Sequence, residues 1–327
     1  MIHQDIINGN RPLKVSVNGN TDAGYANKLY SMLSSLVIAL ITDSAFVIKW
    51  KEVIEHVNEP FNKTFSQIEN TRFDIFNQTK NSFIHPRGRS AWTVVKNMNK
   101  LVQTRLPMEY DKYLYDCIEP YFFELCLNPI YYETFYRYGL VKRETLLNAF
   151  EILFNMDKYT NQDKQRYILK IPFEVGGNLL NKIWIPKNHI MNRVNYIVDN
   201  LFKDYYMIGL QMRYFYIDDP LDTYKFIDCA FEIEDNLTKM DSKFNKKYKG
   251  VKWFITSDSS DVIDRLAKEY PNKIVIGEGK VGHIVNSTDS YPRTIMDVEL
   301  LSRCNDLVIT GGSTFGIFMI ILIKNSY

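Results

Sequence analysis

Asn305-Asp306-Leu307-Val308-Ile309-Thr310-Gly311-Gly312-Ser313-Thr314-Phe315-Gly316 reads as a short strand that breaks at paired glycines and enters a helix through Ser and Thr. Leu307 to Ile309 are apolar and mostly β-branched, as suits a strand. The glycines permit a tight reversal, and Ser313 can cap the helix that follows. Such a turn sets backbone N–H groups and the positive end of a helix dipole where an anion can sit. The same residues also make a plain strand-to-helix connection.

Upstream, strands and helices alternate from Tyr206 onward. Strand-like MIGLQMRYF (207–215) precedes a helix near Asp222 to Lys239, then KWFITS (252–257), a helix over Ser260 to Glu269, KIVIGE (273–278), and a helix over Met296 to Arg303. This order is that of a parallel α/β sheet wrapped by helices. In the first half, Val15 to Trp50 gives a short strand, a polar turn with Gly19 and Gly24, an apolar helix from about Asn27 and the strand AFVIKW, a second β-α-β unit. Residues 89–170, interrupted by Pro107, Pro120 and Pro129, read as several helices. The expected fold class is therefore α/β, two facing Rossmann-like domains with a ligand cleft between them. The division is placed at 204/205, an amino-terminal domain 1–204 with a helical insertion preceding a carboxy-terminal domain 205–327.

The chain has 327 residues, 46% of them hydrophobic and 24% charged, enough for a sizeable core. Forty basic against 38 acidic residues leave a net charge of +2, which gives no argument for a nucleic-acid or membrane partner. An anionic ligand must be held by local groups. Cys117, Cys126, Cys229 and Cys304 have no zinc-ligand spacing, and Cys117 and Cys126 suit a disulfide or two buried thiols equally. Sequons at Asn62, Asn77, Asn236 and Asn286 permit a secretory route without requiring one. No apolar run approaches the roughly 20 residues that span a bilayer, and the apolar run from Leu33 to Ile41, with Ser34 and Ser35 inside it, reads as a buried helix.

Alternation along Gly209-Leu210-Gln211-Met212-Arg213 turns Gln211 and Arg213 to one face and Leu210 and Met212 to the other. Arg213 can fork onto a diphosphate or make an ordinary salt bridge at the sheet edge. Ser257-Asp258-Ser259-Ser260 can accept from a nucleoside hydroxyl or cap the next helix. Asp297 and Glu299 are read as opening a helix, where acids are favoured with or without a ligand. The first turn offers Gly24, Asn27 and Lys28 among small and polar neighbours. There is no GxxxxGK[ST] loop, GxSxG elbow, HExxH or Asp-x-Asp, so a metal bridging a diphosphate is not implied and positive charge must come from Arg213 and a helix terminus.

Taken together, these blocks resemble the plant-type α-1,2-fucosyltransferases, the xyloglucan fucosyltransferase family. Residues 295–316 resemble its carboxy-terminal motif ending in Ser-Thr-Phe-Gly, and Gly209 to Arg213 resembles its Gly-Ile-Gln-Ile-Arg, with Gln211 where α-1,6- and O-fucosyltransferases tend to carry His. Asn20 to Trp50 is similar to its glycine-rich loop, helix and strand, although Tyr25, Ala26 and Lys28 depart from the usual pattern, and Tyr121 to Leu153 is similar to its helical segment. The resemblance implies a GT-B enzyme for inverting, metal-independent transfer of L-fucose from GDP-β-L-fucose to a sugar hydroxyl, an α-1,2 link to galactose, with no cofactor beyond the donor. It implies that catalytic Arg213 and the turn of Ser313, Thr314, Phe315 and Gly316 neutralise the leaving diphosphate, with Gln211 beside them. Ser257, Asp258 and Asp297 would receive the nucleoside, and Gly24, Asn27 and Lys28 would close over it. Asp218 and Asp219 are candidate bases. The implied partners are a nucleotide sugar and a glycan acceptor in the Golgi, with no nucleic acid. The family carries an anchor before, and a further strand and helix beyond, the limits of this sequence, so the expected donor domain is incomplete at its carboxy end. An O- or α-1,6-fucosyltransferase, or an inactive GDP- or glycan-binding paralogue, stands as the alternative.

Overall fold

A computed structural model describes residues 2–12, 14–18, 24–61, 82–84, 106, 108, 110, 112–115, 121–160, 167–213, 222–240, 247–282, 288–311, 313, 315–316 and 319. The chain divides into two compact units, Met1–Ile185 and Pro186–Tyr327.

In the first unit, β1 (Val15–Asn18) pairs in parallel with β2 (Ala45–Ile48) on one side and with β4 (Lys112–Tyr115) on the other, and β3 (Ser82–Ile84) lies outside β4. Helix α1 (Ile2–Ile7) precedes the sheet, and α2 (Tyr25–Thr42) joins β1 to β2. The Leu33 to Ile41 run is buried nearly throughout in α2; the Ser34 hydroxyl is engaged, whereas Ser35 Oγ is buried with no hydrogen-bond partner among the described residues. Ser34 Oγ donates to Tyr30 O at 2.8 Å, and Ser16 Oγ of β1 donates to Ser35 O at 2.6 Å. The strand's serine thereby ties sheet to helix through a helix backbone carbonyl. Asp43 ends α2 in the left-handed region at φ 52°.

The expectation of helices alone through 89–170 is corrected by β4: Lys112–Tyr115 is a strand between β1 and β3. Four residues are too few to show a period, but Tyr and Leu fit a pleated surface. Helices do follow, α3 (Tyr121–Cys126), α4 (Tyr132–Arg137), α5 (Arg143–Phe154) and α6 (Lys170–Ile183). Buried Glu174 of α6 accepts from Thr145 Oγ1 at 2.9 Å and from Lys142 N at 3.1 Å, closing the amino end of α5 in place of a local cap.

The second unit opens with α7 (Asn188–Ile197), then β5 (Tyr206–Met212), α8 (Asp222–Met240), β6 (Val251–Ser257), α9 (Ser260–Glu269), β7 (Ile274–Ile276), α10 (Tyr291–Ser302) and β8 (Asp306–Ile309). Its sheet is parallel with order β7-β6-β5-β8. Ile208, Leu210 and Met212 pack in one core with Ile227 and Ala230 of α8 and Val262, Ile263 and Leu266 of α9. The opposite parity of β5 faces α10. A Cβ on Gly209 would stand 2.5 Å from Leu307 Cδ2 and 2.8 Å from Leu301 Cδ2, so a side chain there would have to push these leucines aside. Helix α10 starts at Tyr291, five positions before the expected Met296, because Pro292 sits in its first turn, where its missing N–H costs nothing. Asp297 and Glu299 therefore lie in its second half rather than at its start. The apolar run read as a final helix, 317–327, falls outside the described residues except for Met319.

Candidate functional site

The second sheet reverses direction at β5. The chain moves outward from β5 to β6 to β7, then returns to place β8 on the other side of β5. In open α/β sheets, ligands bind outside the carboxyl ends of the strands at such a switch point. Arg213 is the first residue beyond β5, and Thr310 the first beyond β8.

Three bonds fasten these two ends. Thr310 N and Thr310 Oγ1 both donate to Gln211 O, at 3.0 and 3.1 Å, and Arg213 N donates to Thr310 Oγ1 at 2.8 Å. The Arg213 side chain is thus held at its root, and its Nη1 meets Asp258 Oδ2 at 2.9 Å. The two side chains are 23% and 15% exposed, so the pair is sheltered yet open to a solute. Asp258 follows β6, where Ser259 N donates to Ser257 Oγ at 3.2 Å. Ser259 occupies the N-cap position of α9 without a side-chain capping bond.

Beyond β8, Ser313 N donates to Thr310 O at 3.2 Å, and Gly316 N donates to Ser313 Oγ at 3.4 Å. Ser313 is buried and caps the helical turn that Phe315 and Gly316 begin. A Cβ on Gly316 would lie 2.9 Å from Gln211 Oε1 and 3.0 Å from Ile309 Cβ. Gly316 is thus needed for close approach between turn and strand. Gln211 Oε1 is buried there with no hydrogen-bond partner among the described residues. Arg213, Gln211, Asp258, Ser313 and Gly316 therefore belong to one constellation, while Gly312, Thr314, Asp218 and Asp219 lie outside the described residues.

Asp297 has both oxygens engaged. Oδ1 accepts from Arg293 Nε at 2.7 Å and Oδ2 from Thr256 Oγ1 at 2.7 Å. Arg293 Nη1 also donates to Gly277 O, and to Gly279 O at 3.4 Å. Arg293 and Asp297 are each 5% exposed. Burial raises the Asp297 carboxyl above its ordinary value, and the Arg293 charge and the Thr256 hydroxyl pull against it. A Cβ on Gly277 would stand 2.7 Å from Asp297 Oδ1, so the loop after β7 closes on this pair. Arg293 escaped sequence reasoning, although an Arg four residues before an Asp on one helix was the available signal.

In the first unit, Gly24 is the N-cap residue of α2, and Lys28 N donates to its carbonyl at 3.1 Å. Lys28 Nζ stands 5.6 Å from the Trp50 ring centre and 4.0 Å from Glu52 Oε2. Trp50 stacks on Trp184 at 5.5 Å, and Tyr25 meets both edge-on. Asn27 Oδ1 is buried beside this cluster's helix without a hydrogen-bond partner among the described residues. Gly24, Asn27 and Lys28 thus gather past the carboxyl ends of β1 and β2.

Among the described residues, no group of three or more His, Cys, Asp and Glu is placed to hold a metal ion, and no helix is long and apolar enough to cross a membrane. Cys126, Cys229 and Cys304 carry free thiols, and burial raises those of Cys126 and Cys304. Cys117 lies outside the described residues.

The arrangement defines a class of α/β fold with polar and charged side chains gathered at a strand switch point. No family model and no curated protein matches the chain. Solved structures do. NodZ, an alpha-1,6-fucosyltransferase known from Bradyrhizobium, co-crystallized with GDP, is 16% identical over 94% of this chain and 91% of its own, with a TM-score of 0.50. An arginine-to-lysine mutant of Arabidopsis thaliana FUT1 in complex with GDP is 15% identical over 98% of this chain and 73% of its own, with a TM-score of 0.55. At this identity the likeness is one of fold alone: the α/β architecture with parallel sheets is similar to that of these fucosyltransferases.

Proposed function

We propose that the chain is a fucosyltransferase that takes L-fucose from GDP-β-L-fucose and passes it, with inversion, to a sugar hydroxyl. The carrying observation is the Arg213–Asp258 pair at the switch point, rooted by Thr310 and flanked by the Ser313–Gly316 turn. When the fucosyl bond breaks, negative charge grows on the departing diphosphate. A fixed guanidinium stabilises it at little reorganisation cost, and its paired planar donors suit phosphate oxygens. In this reading Arg213 supplies the charge that a divalent ion supplies elsewhere, so transfer is metal-independent. Ser257 and Asp258 border the nucleoside, and Asp297 acts by holding Arg293 and the loop after β7. In the first unit, Gly24, Asn27 and Lys28 remain the proposed further donor-binding residues.

The acceptor we favour is galactose, through an α-1,2 link, because Gln211 stands where the α-1,6 and O-linking enzymes tend to carry His. The likeness to NodZ, over 91% of that chain, favours an α-1,6 link as the second reading. Incubation with GDP-fucose and galactose-terminated acceptors, followed by NMR of the product linkage, tests both. An α-1,2 product supports the first reading, an α-1,6 product the second, and GDP binding without any transfer an inactive paralogue.

A further inference from the structure

The first unit contains a cavity of about 490 Å³ at the edge of its sheet where β1 and β2 begin. Leu36, Ala39 and Leu40 from the last turns of α2 form one wall, and Leu140 with Leu179 and Ile183 of α6 form another. Helix α1 closes a third side. His3 Nδ1 accepts from Phe46 N at 3.1 Å, which ties α1 to β2, and the His3 ring stands 5.4 Å from that of Phe61. Close packing leaves protein interiors few voids larger than a water molecule. This space instead has the size of a small-molecule site, roughly 300–1,000 Å³.

The polar groups on the lining are spent on the protein itself. Gln4 Nε2 donates to Asn8 Oδ1 at 2.9 Å, the Thr42 and Ser44 hydroxyls bond each other at 2.6 Å, and Lys182 Nζ donates to Tyr138 O at 3.2 Å. The His3 nitrogen that accepts from Phe46 N carries no proton, so that ring is neutral. Asp43 and Lys182 add one charge of each sign, and the lining has no net charge. A charged guest would therefore lose its hydration without meeting a net counter-charge, whereas a neutral apolar guest gains burial at no such cost. An apolar void of about 150 Å³ stays dry and takes a benzene-sized guest, so a space about three times larger accepts roughly 12–18 non-hydrogen atoms.

We infer that this cavity is a binding site for a small neutral hydrophobic molecule, an isoprenoid or aromatic body with at most one hydroxyl. It lies at the opposite edge of the sheet from Gly24, Asn27 and Lys28, and it stands independently of the fucosyltransferase reading. The intact chain is titrated with N-phenyl-1-naphthylamine, a neutral probe that fluoresces when shielded from water, and the bound probe is displaced with farnesol, dodecanoate or dodecylamine below their micellar concentrations. Beside it run Ala39→Leu and Leu179→Phe, which add bulk to facing walls, and Leu147→Ser, which removes an exposed apolar side chain that does not line the cavity. The expected result is saturable binding at one site per chain, with farnesol displacing the probe at concentrations about tenfold or more below those needed for either charged amphiphile. Both filled variants should bind the probe about tenfold or more weakly and melt no lower than the unaltered chain, and Leu147→Ser should bind as the unaltered chain does. Absence of saturable binding, or equal binding in the filled variants, overturns the inference. Stronger displacement by dodecanoate or dodecylamine overturns the neutral guest, and filled variants that melt well below the unaltered chain would show that the walls have no room for one.

Discussion

The guanidinium of Arg213 meets the carboxylate of Asp258 at 2.9 Å, across the carboxyl ends of two neighbouring strands. Each residue is the first beyond its strand, so the position of both is inherited from the ladder that joins Met212 to Ser257. The acid fixes the arginine's direction, and in the proposed reading the arginine keeps further donors for a diphosphate.

Arg213→Ala should therefore lower kcat/KM for fucosyl transfer by about 10²–10³, roughly 3–4 kcal/mol of lost transition-state stabilisation. Arg213→Lys should recover only part, since an ammonium cannot present paired planar donors. Circular dichroism and melting should stay close to the unaltered chain. A fully active alanine variant would move the phosphate site elsewhere.

Gly316→Ala should be costly where Gly311→Ala is not. The added Cβ meets Gln211 Oε1 and Ile309 at about 3 Å in the first case and has nothing within 4 Å in the second. The expected loss is about 1–3 kcal/mol of stability for Gly316→Ala, with weaker GDP binding as the turn shifts. Denaturant melts of the two variants side by side measure it. Equal stability in both would refute the close approach.

The Arg293–Asp297 pair should behave as a buried charge pair. Removing one partner, as in Arg293→Ala, is expected to cost about 3–5 kcal/mol because the other charge is left buried. Burial raises the Asp297 carboxyl above its unfolded value. The folded state then holds that proton more tightly, so this group's contribution is full below the unfolded pKa and is lost as pH rises through the folded one. Asp297→Asn should remove that downward slope from the stability profile above about pH 4. Denaturation of both proteins across acid to neutral pH checks the sign, and identical slopes would contradict it.

Much of the second unit was legible in the sequence. The alternation of Gly209 to Arg213 places Leu210 and Met212 in the core and Gln211 against the turn, as the parity of a strand demands. Ser260–Glu269 carries its boundaries in its own pattern. The strand order was not legible, because pairing β8 with β5 rather than with β7 is a long-range choice that no local residue announces. Nor was the fate of Asp297: its type suggested an acid at a helix start, with or without a ligand, and the earlier start at Tyr291 places it in the second half of α10, buried against the loop at Gly277. Lys112–Tyr115 was missed for a related reason, since a four-residue strand takes its identity from its neighbours β1 and β3. The turn at Ser313 was legible both as a turn and as a cap, and Gly316 N does donate to its hydroxyl.

The most direct test of the donor site is calorimetry of GDP with the intact protein in excess chelator, repeated with Arg213→Ala. Micromolar-range binding by the unaltered chain without added metal, with a loss of tenfold or more in the variant, is what the account predicts. Binding that appears only when magnesium or manganese is restored, or that survives intact in Arg213→Ala, would contradict it.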